Sequence, residues 1–481
     1  MRYETVIGLE VHVELATDSK IFCSCANRSG DEQNTHVCPA CCGMPGMLPV
    51  TNKRAVDLGM TAGMMLNCHI NRTTTFDKKS YYYPDLPCSY QTTQWFSPVA
   101  VNGTVTIDAG NGPKDIRIKQ IHMEEDAGKL VHDTLSNTTL VDFNRTSVPL
   151  IEIVSQPDLS SADEVVAYLE RLRSLLRFAK VSECRMELGT MRCDVNLSVR
   201  PEGSDVLGVR TEMKNMNSIS AIRRAIAYEV DRHIDAIENG TEVLVQETRR
   251  WDDEKGMSFA MRNKETAGDY RYFPDPNVMP IVIDDAWFNR IKDTLPPFPE
   301  VKKQQLIDAG LTEYDADLLT QSRVLCDCFD AAFAVSGLAK ECANWIATNC
   351  LAVLKKNGQT MDDLALSGTR LGELVKLVGD GVVSNANAKK ILDAMFEAEG
   401  ADLDPKAYAE VNDMVISNDA DAVMDVIRAI VAANQKDADD FRGGNEKAIN
   451  PLFGKCMKEL KGNCTPQQLR EMLISYLVPS A

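Results

Sequence analysis

The sequence predicts an α+β amino-terminal region followed by an all-helical carboxy-terminal part, and three observations carry that reading. First, apolar and polar residues alternate with period 2 at Thr5 to Leu15, Asp115 to Met123, Leu150 to Ser155 and Met191 to Arg200, the spacing of half-buried strands. Second, two amphipathic helices interrupt these strands. One begins at Ser161, whose spacing to Glu164 makes a capping box, and carries Val165, Val166, Leu169, Leu172, Leu175 and Leu176 at helical spacing. The other turns Ile219, Ile222, Ile226, Val230, Ile234 and Ile237 inward and keeps Arg223, Arg224 and Arg232 elsewhere; both stripes read as packing faces. Third, the composition changes after Leu295-Pro-Pro-Phe-Pro-Glu300, where successive prolines break regular structure and stiffen a linker. Beyond it come Ala- and Leu-rich patterns at Ala339 to Leu354 and Leu371 to Val378, and Asp404-Pro405 opens a last helical segment. The expected domains are 1–293, 294–404 and 405–481.

With 481 residues, 44% hydrophobic and 25% charged, the chain has the composition of a soluble globular protein. No apolar run approaches the roughly 20 residues that span a bilayer, and the start of the chain goes straight into a strand pattern without the apolar core of a secretory signal. The expected location is the cytoplasm, with no membrane contact. Fifteen cysteines in a large chain of this kind read as reduced thiols, some of them on metal. A net charge of −18 argues against nonspecific coating of nucleic acid. One local reversal stands out: Arg442, Lys447, Lys455, Lys458, Lys461 and Arg470 face only Glu446 and Glu459 between 442 and 470. That is a candidate nucleic-acid patch, with a solvated helical face as the alternative.

In Val6-Ile-Gly-Leu-Glu-Val-His-Val-Glu-Leu15 the period of 2 puts Glu10, His12 and Glu14 on one face and the aliphatic residues on the other. Alone, this segment is equally a half-exposed strand with polar residues toward water. Ile121-His-Met-Glu-Glu-Asp126, Leu150-Ile-Glu-Ile153 and Arg192-Cys-Asp-Val-Asn196 repeat the pattern, and charge in apolar strands is costly unless it is paired or holds a metal. Oxygen-rich sets with one imidazole suit Mg²⁺, and Lys79 and Arg192 can bring positive charge to a phosphoryl group. The chain lacks the Gly-x-x-x-x-Gly-Lys-Ser/Thr phosphate loop. Cys23-x-Cys25 and Cys38-x-x-Cys41 have the spacing of a structural Zn²⁺ site, with Cys42 as a substitute ligand and free buried thiols as the alternative.

These residues carry a family resemblance. The strand at 6–15, Tyr83-Pro-Asp-Leu-Pro87, His122-Met-Glu-Glu-Asp-Ala-Gly-Lys129, Asp142-Phe-Asn-Arg145 and Pro149-Leu-Ile-Glu-Ile-Val-Ser155 resemble the GatB subunit of glutamyl- and aspartyl-tRNA amidotransferases. The set continues in order through Arg192-Cys-Asp-Val-Asn-Leu-Ser198, Lys214-Asn-Met-Asn-Ser218, Gln246-Glu-Thr-Arg249, Asp269-Tyr-Arg-Tyr-Phe-Pro274 and Gly444-Asn-Glu-Lys-Ala448, across nearly the whole chain. The resemblance implies a glutamine-synthetase-like cradle with an antiparallel sheet, then a helical domain, then a small helical tail that binds tRNA. It also implies phosphorylation by ATP of the side-chain carboxylate of Glu or Asp on a misacylated tRNA, followed by attack of ammonia. The ammonia would come from an amidase-type A subunit, with a small C subunit bracing the pair. A noncatalytic tRNA-binding adaptor in the same complex is the competing reading.

By position, the resemblance gives His12, Glu125 and Glu152 metal-binding and catalytic roles, with Glu10 beside them and Lys79 near phosphate. Arg192, Asp194 and Asn196 fall on the nucleotide side; Lys447, Lys455, Lys458 and Lys461 fall on tRNA. Strand periodicity favours Glu124 over Glu125, because Glu124 shares a face with His122; a bulge would reconcile the two. Two positions depart from the family pattern. Cys88 stands where a basic residue is usual, and Ser147 replaces a flexible Gly.

Overall fold

The alternation of the first segment produces a central strand. In the computed structural model, which describes residues 2–133, 136–261, 270–397, 402–416, 420–460, 464 and 466–478, β1 (Tyr3–Glu14) is followed by α1 (Lys53–Met65). Then come the short strands β2 (His69–Ile70), β3 (Thr73–Thr74), β4 (Asp77–Ser80) and β5 (Tyr90–Thr93), and the long hairpin of β6 (Ala100–Asp108) and β7 (Pro113–Glu125). A second hairpin, β8 (Lys129–Asp133) and β9 (Thr138–Asp142), precedes β10 (Pro149–Ser155) and α2 (Ala162–Phe178). The remaining elements of this unit are β11 (Met191–Pro201), β12 (Thr211–Lys214), α3 (Ile219–Asn239), β13 (Glu247–Asp252), β14 (Met257–Ala260), β15 (Phe273–Pro274), β16 (Ile281–Val282) and α4 (Asp285–Asp293). The four period-2 segments are all strands.

Twelve strands form one sheet in the order β14-β13-β12-β11-β1-β10-β7-β5-β4-β15, with β6 against β7 and β2 against β6. Pairing is antiparallel except between β12 and β13, whose parallel run is reached through the α3 crossover. Ile7, Leu9, Val11 and Val13 are buried in one core with Leu58, Leu172, Leu176, Ile222 and Ile226 of the helices. At ~1.5–3 kcal/mol for each fully buried aliphatic chain, that face holds the helices on the sheet. The opposite face, carrying Glu10, His12 and Glu14, is left for polar groups.

Two helix details differ from the sequence reading. Ser161 Oγ accepts from Glu164 N as expected, but the Glu164 carboxylate returns to Ser160 N (2.8 Å) and to Lys114, so the capping box is only half formed. In α3 the buried stripe is Ala221, Ile222, Ala225, Ile226, Glu229, His233 and Ala236, while Ile237 is exposed. Ile219, Val230 and Ile234 still pack partly buried against the core, and Glu229 and His233 join the buried face because their polar atoms are met inside: Glu229 accepts from Arg232 Nε and Ser258 Oγ, both at 2.9 Å, and His233 Nε2 lies 2.9 Å from Thr211 Oγ1.

The chain divides into two compact units, Met1–Pro299 and Glu300–Ala481. The break falls in the proline segment, with Pro299 opening a helix. The described elements of the second unit are helices, among them Arg323–Ser336, Gly368–Gly379 and Pro405–Val411, the last capped by Asp404. Val423, Ile427, Val431, Leu452, Leu469 and Leu473 form a separate small core within it. Among the described residues, no helix is long and apolar enough to cross a membrane.

Burial opposes ionisation of Glu229, but His233 and Arg232 outweigh it and hold its pKa down to about 2. The folded value lies below the ordinary carboxylate value of 4.5. Its stabilisation is therefore complete above pH ~4.5 and is lost as pH falls toward 2. Urea midpoints of the Glu229→Gln variant should vary less with pH across that window than those of the parent. An unchanged acid limb would remove Glu229 from the account.

Candidate active site

Register across four strands assembles the polar face. His12 of β1 pairs with Glu152 of β10 on one side and Arg192 of β11 on the other, and Glu152 pairs in turn with His122 of β7. His12 Nε2 lies 3.3 Å from Glu152 Oε2 and 3.4 Å from Glu124 Oε1, and His122 Nε2 lies 3.0 Å from Glu152 Oε2. Burial works against a charged His12, yet Glu152, Glu124 and Asp194 outweigh it and lift its pKa to about 9. In the same way, His122 is lifted to about 10 against burial, mainly by Glu152 and Glu124. Both carboxylates are held below their usual range although burial opposes it: His122 is the main cause at Glu124, and both histidines act on Glu152. Ligand atoms of His12, Glu124 and Glu152 lie within 4.8 Å of one another, an imidazole and two carboxylates converging as a divalent cation requires.

Glu124, not Glu125, is therefore brought to His12 and Glu152. β7 stays regular through Glu125, and the one irregularity in its ladder with β10 lies at Val154/Ser155, at the other end of the pairing. Period 2 then turns Glu125 to the far face, where its carboxylate accepts from Thr92 N (2.9 Å) and Ser147 Oγ (2.6 Å) and burial raises its pKa. There it lines a second cavity of about 200 Å³ with Cys23, Cys41, Cys88 and Tyr90. Ser147 makes its contact from a left-handed backbone (φ 61), a conformation that costs a non-glycine residue about 1 kcal/mol.

The first cavity, about 280 Å³, is lined by His12, Glu124 and Glu152 together with Lys79, Tyr81, Asp126, Arg145 and Arg192. Arg192 Nη2 donates to Asp126 Oδ2 at 2.8 Å, while Lys79 Nζ sits 4.9 Å from the Tyr270 ring centre. One step along the strands, Glu10 pairs with Asp194, and their oxygens converge with one from Glu212. Asn196 Nδ2 donates to Glu10 (3.1 Å), and Lys214 bridges Asp194 and Glu212. Glu212 and Lys214 were not among the predicted site residues. Their signal was the alternation in Thr211-Glu-Met-Lys214, too short to stand out beside the longer strands.

The four predicted cysteines also converge: the sulfurs of Cys23, Cys25, Cys38 and Cys41 lie within 4.8 Å of one another, and Cys42 is outside the set. The 3.9 Å between Cys38 and Cys41 sulfurs is close to the ~3.8 Å edge of a tetrahedron with 2.3 Å zinc–sulfur bonds. The Cys41 thiol is drawn down to about 4, chiefly by Cys23, with help from Lys20, whose buried Nζ lies 3.6 Å from that sulfur. A set of four thiols with one already favouring the thiolate fits a structural Zn²⁺. In the second unit, Lys447, Lys455 and Lys458 are exposed, the last two one turn apart on the helix Ile449–Glu459. Lys455 also contacts Asn434 and lies 3.9 Å from Asp437; Lys461 lies outside the described residues.

Residues 5–289 match the family model described as the GatB/GatE catalytic domain, and residues 327–477 match the GatB domain. The chain belongs to the GatB family. It is 46% identical over 479 residues to the B subunit of the aspartyl/glutamyl-tRNA(Asn/Gln) amidotransferase of Agathobacter rectalis, covering 99% of each chain. It is 45% identical to the B subunits of the same name from Caldicellulosiruptor bescii over 477 residues and Lachnoclostridium phytofermentans over 476 residues, with 98% and 99% of each chain covered, respectively. Both polar sites described above lie inside the segment that matches the GatB/GatE catalytic domain.

Binding of Mn²⁺, followed by electron paramagnetic resonance, separates the two neighbouring glutamates. Glu124→Gln should weaken it by tenfold or more, and Glu125→Gln should leave it within twofold. The opposite order would return the ligand role to Glu125.

Proposed function

We infer that this GatB-family chain carries out the ATP-dependent amidation of Glu on tRNA(Gln), of Asp on tRNA(Asn), or of both. The observation that carries this reading is the convergence of His12, Glu124 and Glu152 on the cavity that Lys79 and Arg192 also line. A free carboxylate is a poor acyl donor because its leaving group would be oxide; phosphorylated by ATP, it loses phosphate instead when ammonia attacks. His12, Glu124 and Glu152 would hold Mg²⁺, whose charge would offset repulsion between the nucleotide and the incoming carboxylate. Lys79 and Arg192 add positive charge on the phosphoryl side, and Asp126 keeps the guanidinium directed into the cavity. Glu10, Asp194 and Asn196, braced by Lys214, flank the nucleotide. Glu125 acts as a positioning residue, fixing β5 through Thr92 and the 147 turn through its hydroxyl.

The site sits in a cradle of the glutamine-synthetase type, which works with an amidase A subunit supplying ammonia and a small C subunit bracing the complex. Cys23, Cys25, Cys38 and Cys41 would hold Zn²⁺ in a structural role. The tail from residue 405 takes the tRNA body, with Lys447, Lys455 and Lys458 on phosphates.

In the reconstituted complex, His12→Ala should lower transamidation of misacylated tRNA by at least 100-fold while glutamine hydrolysis in the partner persists. Phosphate release on mixing with misacylated tRNA separates catalysis from an adaptor role, and its absence from the parent complex would overturn the reading. Neutralising Lys455 and Lys458 should weaken tRNA binding and reduce the slope of log affinity against log salt by roughly 1–2. An unchanged slope would leave those lysines as a solvated face.

A further inference from the structure

An aromatic wall leads out of the metal-site cavity and ends in exposed rings. It starts at Tyr81, which lines the cavity, and Tyr270 meets it edge-on with centroids 5.9 Å apart. Tyr272 meets Tyr270 edge-on at 6.0 Å and stacks on Trp95 at 4.3 Å and 12°. Trp95 remains 45% exposed and the adjacent Phe96 57%.

The backbone beneath these two rings is fixed. Trp95 N and Phe96 N both donate to buried Asp77 Oδ2, at 2.7 and 3.0 Å. Gln94, fully buried, accepts from Val99 N and Met123 N and donates to Thr74 Oγ1. Held rigidly in solvent, the rings contribute little to the core, so their geometry is preorganised for a flat partner. The wall also reaches the chemistry: burial first, then the charges of Tyr270, Glu152, Glu124 and Glu10, push up the pKa of the Tyr272 hydroxyl.

We propose that Trp95, backed by Tyr272, is a stacking seat for the unpaired terminal base of the aminoacyl acceptor strand. This rests on the amidation reading above. The carboxylate to be activated is joined to that base through only one amino acid and one ribose. Once the carboxylate enters the cavity, the base is left outside it, and Trp95 stands three ring contacts from the cavity's Tyr81, at successive centroid spacings of 5.9, 6.0 and 4.3 Å. The cavity beside this wall is lined by charged groups of both signs, whereas Trp95 and Phe96 offer aromatic faces to the uncharged part of a polyanion. Single-stranded RNA ends are held in this way, each stacked base contributing about 1–3 kcal/mol.

Two measurements on the assembled complex test the seat. In binding, parent protein should prefer uncharged tRNA with an intact 3′ end over the same tRNA lacking its terminal nucleotide by about tenfold, and Trp95→Ala should abolish that preference while Trp95→Phe keeps most of it. In transamidation, Trp95→Ala should raise KM for misacylated tRNA about tenfold with kcat within threefold and KM for ATP within twofold. An end preference undiminished in Trp95→Ala overturns the proposal, and so does a rise in KM for ATP alone, which would assign the seat to the nucleotide's own adenine. A parent complex that transamidates no misacylated tRNA refutes the amidation reading instead, and the binding comparison still decides the seat.

Discussion

The alternation of β1 is the constraint on which the rest of the molecule depends. A strand with aliphatic residues at every second position packs against helices on one side only, so whatever lies between those positions is delivered to the other side as a row. Because β1 runs between β10 and β11 and β10 lies on β7, the antiparallel register extends that row sideways into His122, Glu152, His12 and Arg192. A slip of one residue at β1 would bury the imidazole and expose the valines. Hydrophobic burial thus sets the position of the polar site, and the carboxylate–imidazole pairs inherit a geometry they did not have to pay for.

Much of this was legible in the sequence because period 2 is a local signal. The four alternating segments became strands, and the capped α2 and the proline break near Pro299 fell where residue types placed them. Glu124 and Glu125 show where two kinds of inference part. Counting along the strand put Glu124 beside His122, family position favoured Glu125, and the regular backbone of β7 follows the count. The contribution of Lys214 was hidden for a different reason: its strand is four residues long, and of its partners Glu212 lies two residues back on that strand while Asp194 comes from β11 across the pairing.

Burial of polar groups was the least legible part. The inward face of α3 reads as an aliphatic ladder, yet Glu229 and His233 share it, because besides Arg232 on the same helix they meet Thr211 and Ser258 on separate strands, which no window of helix sequence contains. The cysteine cluster was the reverse case. Four thiols in two close pairs need only one turn of chain to meet, so spacing alone anticipated the convergence.

The pairing of β1 has a consequence for how the chain is made. β1 leaves the ribosome well before its partners, which begin at Pro149 and Met191, and before the helices that cover its aliphatic face, which begin at Lys53, Ala162 and Ile219. Until the chain has been synthesised past Pro201, the strand at the centre of the future sheet has at most one partner, with its apolar edge a template for wrong pairing. Such long sequence separations slow folding. The segment that carries His12 thus stays incompletely paired until β11 has been made.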